Sequence, residues 1–243
     1  MRRTMLVMVA ALATTSCDKL KAAAGSTFGA DFEGEITMVS KPQNMQLTFG
    51  IKKPKYRIDT VGNVAPGNAM FGQGASLILD PPAKKGYALL PAQKKAFVLD
   101  FDKLKAQNQA RTGAVTNQPP PKIEKTGKKE IIAGYECEDW KITTHDGKKS
   151  DLCAADGITW MDLGDLGWSS PEFTAAAVVS GMNRFPLRVV TYAANGAEEM
   201  RLEATKIDKK KLEDARFTVP PDYQIVDISQ MLQGLPSFVP AKK

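Results

Sequence analysis

Apolar and polar positions alternate with a period of two along much of the chain. Met45, Leu47, Phe49 and Ile51 alternate with Gln46, Thr48 and Gly50. Tyr56 and Ile58 alternate with Arg57 and Asp59. This pattern marks half-buried strands rather than helices. Ala75 to Asp80, Gly86 to Leu90 and Lys95 to Asp100 predict three further short strands. Their connections, Pro81-Pro82-Ala83-Lys84-Lys85 and Pro91-Ala92-Gln93-Lys94-Lys95, have turn composition. Connections this short make an antiparallel meander, because parallel crossovers need many more residues. Lys129 to Thr143 and Lys148 to Ala154 predict a hairpin, and Pro186 to Ala194 with Glu198 to Ile207 predict another around Asn195-Gly196.

Helical signals are few. Asp102 to Gln109 predicts a short helix. Ser170-Pro171-Glu172 combines an N-cap, a proline at N1 and an acid in the first turn, which predicts a helix over Phe173 to Met182. Phe173, Val178, Val179 and Met182 form its apolar side and serve either a lid over a cavity or an ordinary core. Ile225 to Leu232 is a short amphipathic stretch. Ala110 to Pro121 holds Gly113 and three consecutive prolines and reads as a linker or mobile loop. The expected fold is mainly β with a few helices. One antiparallel domain runs over residues 28–232, with a Pro-rich loop at 108–121 and a tail at 233–243.

The N-terminus breaks this pattern. Arg2 and Arg3 precede an uninterrupted apolar run from Met5 to Ala13. These nine residues are too few for a membrane-spanning helix, which needs about 20. They match the apolar region of a secretory signal. Small residues follow and then Cys17. Here the sequence resembles the bacterial lipobox, with Thr15 and Ser16 in pattern and Thr14 where that motif usually has Leu. The resemblance implies a signal peptide over 1–16, a lipidated (palmitate-type) Cys17 and a tether over 17–27. Asp18 resembles an inner-membrane retention signal, a rule that differs between lineages, so either membrane remains open. The rival reading is ordinary secretion with cleavage after Ala24.

Cysteine usage fits export. Of three cysteines, lipidation of Cys17 leaves Cys137 and Cys153 as a pair. A hairpin centred on His145, with a loop from Thr143 to Gly147, sets them directly opposite each other. Cross-strand Cβ atoms are about 4.5–5.5 Å apart, so local twist must close the gap to a disulfide. An oxidising compartment favours that bond. Metal binding is not expected, since His145 is the sole histidine and no Cys-x-x-Cys occurs.

Composition excludes more than it assigns. The chain has 243 residues, 43% hydrophobic and 25% charged, which is ordinary for a globular protein. Without Arg2 and Arg3, 31 basic residues face 27 acidic ones, a net +4. The lysines are scattered through turns, so nucleic acid is not an expected partner, and weak attraction to an anionic membrane surface stays open. No Gly-x-Ser-x-Gly elbow occurs, and Gly72-Gln73-Gly74 lacks the rest of a phosphate loop. Asp146, Asp151 and Asp156 miss calcium-loop spacing. Glu136 and Glu138 share one strand face and read as solvated, and His145 sits at a loop tip. The expectation is a protein without cofactor and without catalysis.

Several local patterns occur in a familiar order. They are Phe32-Glu33-Gly34-Glu35-Ile36, Tyr56-Arg57-Ile58-Asp59, Leu77-Ile78-Leu79-Asp80, Tyr87, Ile132-Ala133-Gly134-Tyr135-Glu136-Cys137 with Trp140, and Phe217-Thr218-Val219-Pro220. Together they resemble a family of exported bacterial proteins defined as a domain of unknown function. That family is similar in strand order to the LolA/LolB lipoprotein carriers. The resemblance covers most of the mature chain. It implies a curved, incomplete antiparallel barrel with helices in its mouth and an apolar cavity for acyl chains. It carries over no binding residue. The expected protein is a lipid-anchored, periplasm-facing envelope lipoprotein with either an acyl-chain ligand or a filled core and a structural or protein-binding surface.

Overall fold

The structure is a computed structural model, and it describes residues 27–29, 32–62, 74–111, 121–158 and 183–227. Among these residues twelve strands form one sheet in the order β12-β6-β5-β4-β3-β2-β1-β11-β10-β9-β8-β7. The first meander comprises β1 (Gly34–Lys41), β2 (Met45–Lys52), β3 (Lys55–Val61), β4 (Ser76–Asp80), β5 (Lys85–Leu90) and β6 (Lys95–Asp100). The second comprises β7 (Lys122–Ile132), β8 (Tyr135–Thr143), β9 (Lys149–Asp156), β10 (Arg184–Tyr192) and β11 (Glu198–Lys209). Antiparallel pairing of β1 with β11 joins the two meanders.

The sheet is curved and stays open, with β12 (Gln224–Asp227) and β7 as its edges, so it is not a closed barrel. Its curl is visible in one contact. Phe49 on β2 and Phe185 on β10 are three strand spacings apart, about 14 Å in a flat sheet. Their rings nevertheless meet edge to face with centroids 5.6 Å apart. Register shifts on β1/β11, β9/β10 and β10/β11 supply local bends.

Helix α1 (Phe101–Arg111) follows β6 directly. Its cap is Asp100, whose Oδ1 accepts the Lys103 N–H at 3.1 Å. The helix runs to Arg111, past the residue where the Pro-rich loop was expected to begin. The predicted strand over Lys129 to Thr143 is two strands, β7 and β8, divided at Ala133-Gly134. Both turn residues are left-handed, with φ of 49° and 83°, the conformation a two-residue hairpin requires. Ala133 masked this turn, since alanine carries no turn signal.

The hairpin carrying the cysteines is also shifted. Thr143 pairs with Lys149, so the turn centres on Asp146 rather than His145. Gly147 N–H donates to the Thr144 carbonyl, and Thr144 N–H to the Lys148 carbonyl, each at 2.9 Å. Gly147 takes the left-handed conformation, φ 81°, that ends such a three-residue loop. Asp139 therefore lies opposite Cys153, and Cys137 is its diagonal neighbour. The two cysteines are disulfide-linked at a Cα–Cα distance of 5.4 Å. The β10–β11 turn repeats this geometry, with left-handed Gly196 and Ala193 N–H donating to the Ala197 carbonyl. The hairpin predicted around Asn195-Gly196 thus closes through a three-residue loop.

The start of the amphipathic stretch at Ile225 is strand. β12 runs parallel to β6 over Gln224 to Asp227, and residues 228–232 lie outside the described residues. The helix over Phe173 to Met182 also lies outside them, as does the lipobox segment with Cys17.

Candidate functional site

The register places one set of side chains on the inner face of the first meander. Ile36, Met38, Leu47, Phe49, Ile51, Tyr56, Ile58, Leu77, Leu79 and Ala88 are cross-strand neighbours there and form the main core with Phe185, Leu187 and Ala204. Ile36, Ile51, Leu77, Leu79, Phe185 and Leu187 are fully buried. Alternation along each strand thus produces one continuous apolar surface.

An aromatic corner closes one end of this face. Phe28 stacks on Tyr135 of β8 at 4.3 Å and meets Phe32 edge to face at 4.8 Å. Gly157 makes that approach sterically possible: a Cβ there would lie 1.9 Å from the Phe28 carbonyl oxygen. The segment entering β1 is thereby held against the end of β9.

The outer face of the first meander is covered by the chain end. Val219 and Tyr223 pack on Ile78, Leu89 and Ala96. Arg57 fixes this segment by donating to the Arg216 carbonyl at 2.8 Å, to Ser76 Oγ at 2.9 Å and to Asp59 at 2.7 Å. Arg57 of the Tyr56–Asp59 motif thus holds the turn that leads into Phe217–Pro220.

A charged row crosses the second meander beside the disulfide. Glu130 lies opposite Cys137, Asp139 and Arg188 flank Cys153, and Glu203 lies opposite Arg188. Arg188 donates to Glu130 at 2.6 Å and to Asp139 at 3.0 Å. Lys128 also contacts Glu130, and it lies 3.5 Å from Asp139. Hydrogen bonds from Arg188 and Lys128 lower the Glu130 carboxyl to about 2. Burial, then the Glu130 charge, raises Asp139. These residues satisfy one another, which is the behaviour of a structural clamp. No sequence pattern signals this row, because β7 is exposed along nearly its whole length and shows no alternation.

The sequence-level candidates are dispersed. His145 is exposed in the β8–β9 turn. Glu136 pairs with Lys129 at 2.8 Å and Glu138 with Arg184 at 3.0 Å, so the two acids face separate partners. Trp140 is buried between strands with Lys125 and Arg184 over its ring at 4.7 and 4.9 Å. Among the described residues no group of acids, histidines and cysteines is arranged to hold a metal. Among them, too, no helix is long and apolar enough to cross a membrane. The lid candidates Phe173, Val178, Val179 and Met182 lie outside the described residues. A shallow hollow of about 180 Å³ lies elsewhere, lined by Lys52, Lys53, Pro54, Lys55, Asp214, Phe217 and Thr218.

Similar solved structures include an uncharacterised conserved protein from Thermus thermophilus, 11% identical, with a TM-score of 0.44 over 81% of this chain and 91% of that one. MucB in the Pseudomonas aeruginosa MucA/MucB complex is 11% identical, with a TM-score of 0.41 over 81% of this chain and 59% of MucB. The chain thus spans about three fifths of MucB. A putative outer membrane lipoprotein-sorting protein domain from Vibrio parahaemolyticus is 12% identical, with a TM-score of 0.29 over 82% of this chain and 94% of that one. No curated protein sequence matches the chain. The family model described as domain of unknown function DUF4412 matches residues 32–223, and the chain belongs to that family.

Proposed function

We propose that this is a non-enzymatic cell-envelope lipoprotein, anchored through Cys17 on the periplasmic side of a membrane, whose inner sheet face binds an acyl chain of a lipid or lipoprotein. The observation that supports this reading is the continuous apolar inner face of a single curved, open sheet. An acyl chain is the ligand such a face favours, because each buried methylene contributes about 0.8 kcal/mol. The Phe173 to Met182 helix is the proposed cover.

A second reading is favoured by a specific observation. The inner-face residues are 7% exposed or less, as those of a filled core would be. The protein is then a structural or protein-binding module with its function on the surface.

Fluorescent fatty acids of increasing length separate the two readings. The first predicts saturable binding that tightens roughly tenfold for every two added methylenes until the site is full. It also predicts that Phe173→Ala weakens binding more than it lowers the melting temperature. Absent binding, or binding indifferent to chain length, supports the filled core.

A further inference from the structure

We propose that the sheet end carrying the β2–β3 and β4–β5 turns and the end of β11 is a docking face for an anionic lipid surface. This docking face rests on the lipid-anchor reading and adds an orientation and a lipid class to it.

The register brings these segments to one end. Gly34, where β1 begins, lies opposite both Ile51 and Lys209. Lys52 pairs with Lys55 across the β2–β3 turn, and Asp80 with Lys85 across the β4–β5 turn. The Lys55–Asp80 ion pair, 3.0 Å, ties the two turns together. This is also the end at which the N-terminal segment enters the sheet. Ten residues separate Cys17 from Phe28, a span of at most about 40 Å when fully extended. An anchored chain therefore holds this end close to the bilayer.

The charge balance there favours anions. Glu33 and Asp214 face Lys52 at 3.9 and 2.5 Å, and Asp102 faces Lys84 at 3.0 Å. Asp80 is held by Lys55, Asp208 by Lys206, and Glu35 by Lys210 and Arg216. Among the described residues, exposed Lys85, Lys209 and Lys211 form no ion pair, against exposed Glu213 and half-buried Asp100 opposite Lys85. The excess is cationic and sits on flexible stems able to reach headgroups. Juxtamembrane lysines of this kind are drawn to anionic leaflets.

The test uses the full chain purified from envelopes in detergent and reconstituted into vesicles. One set is phosphatidylcholine alone and the other includes phosphatidylglycerol. Lysine acetylation is mapped by mass spectrometry. Lys53, Lys85, Lys209 and Lys211 are expected to react roughly twofold or more slowly in the anionic vesicles, with the protection lost at high salt. Lys41, Lys94, Lys148 and Lys149 are exposed at the opposite end and should be unchanged. Combined Lys209→Glu and Lys211→Glu should abolish the difference at Lys85 while leaving the melting temperature in place. Equal labelling of the two ends, or protection indifferent to headgroup charge, overturns the docking face. Flotation with phosphatidylcholine vesicles reads the anchor separately. A chain that fails to float there has no lipid anchor, yet its labelling in the anionic vesicles still decides the docking face.

Discussion

Reducing the Cys137–Cys153 disulfide should lower the melting temperature by about 6–12 °C. The two cysteines are 16 residues apart in sequence, and closing a loop of that size in the unfolded chain is worth on the order of 3 kcal/mol. For a domain of this length, each kcal/mol shifts the midpoint by about 2–4 °C. Both cysteines are buried, at 2% and 0% exposure, so reductant should act on the unfolded or opened state. The bond links diagonal positions on β8 and β9, in the interior of the second meander. Cys137→Ser with Cys153→Ser should match the reduced protein, with a further penalty for the buried hydroxyls. Thermal melts with and without reductant, paired with peptide mapping, make the measurement. An unchanged midpoint in protein shown to be reduced would contradict the stapling role.

Arg188→Ala should destabilise the fold by roughly 2–4 kcal/mol, because it strands two half-buried carboxylates. The Arg188, Glu130 and Asp139 side chains are 17%, 25% and 17% exposed. That access to water places the effect below the full cost of breaking an interior pair. Replacing all three, with Glu130→Gln and Asp139→Asn added, should recover a large part of the loss, since the cost lies in the uncompensated charge. The pH dependence follows from the two directions. Glu130 titrates near 2 in the fold, below its ordinary 4.5. Its stabilising contribution is therefore complete above about pH 4.5 and fades as pH falls toward 2. Asp139 is raised by burial first, so its ionised form costs stability that protonation relieves. The destabilisation by Arg188→Ala should accordingly shrink between about pH 7 and pH 3. Urea unfolding at a series of pH values measures it, and a pH-independent difference would contradict the assignment.

The first meander was readable in the sequence because one face is buried and the other is not. Leu47, Phe49 and Ile51 share a face with Tyr56 and Ile58, which is what period-two alternation encodes. Strand limits at Asp80, Leu90 and Lys95 follow from the proline-containing turns beside them. The second meander was less readable for three physical reasons. β7 is an exposed edge, so Lys122 to Lys129 carries no hydrophobic alternation. The Ala133-Gly134 turn depends on a left-handed alanine, which composition does not announce. The cysteine register depends on whether a turn takes three or five residues, and a one-residue shift in its centre moves Cys137 from opposite Cys153 to a diagonal position. The charged row and the β12–β6 parallel pair are long-range associations with no local pattern. The proposed site divides in the same way. The apolar inner face was legible strand by strand, whereas the lysine-rich end emerges only when separate turns are brought together by register.

An acyl chain held against the inner face is the feature on which the proposed function turns. Native mass spectrometry of protein gently purified from envelopes tests it most directly, with the bound material extracted and identified. The expected result is a substoichiometric to equimolar lipid or acyl species, distinct from the covalent modification at Cys17, that a competing long-chain fatty acid displaces. Protein that carries no such species and takes up none when supplied with excess fatty acid would contradict it.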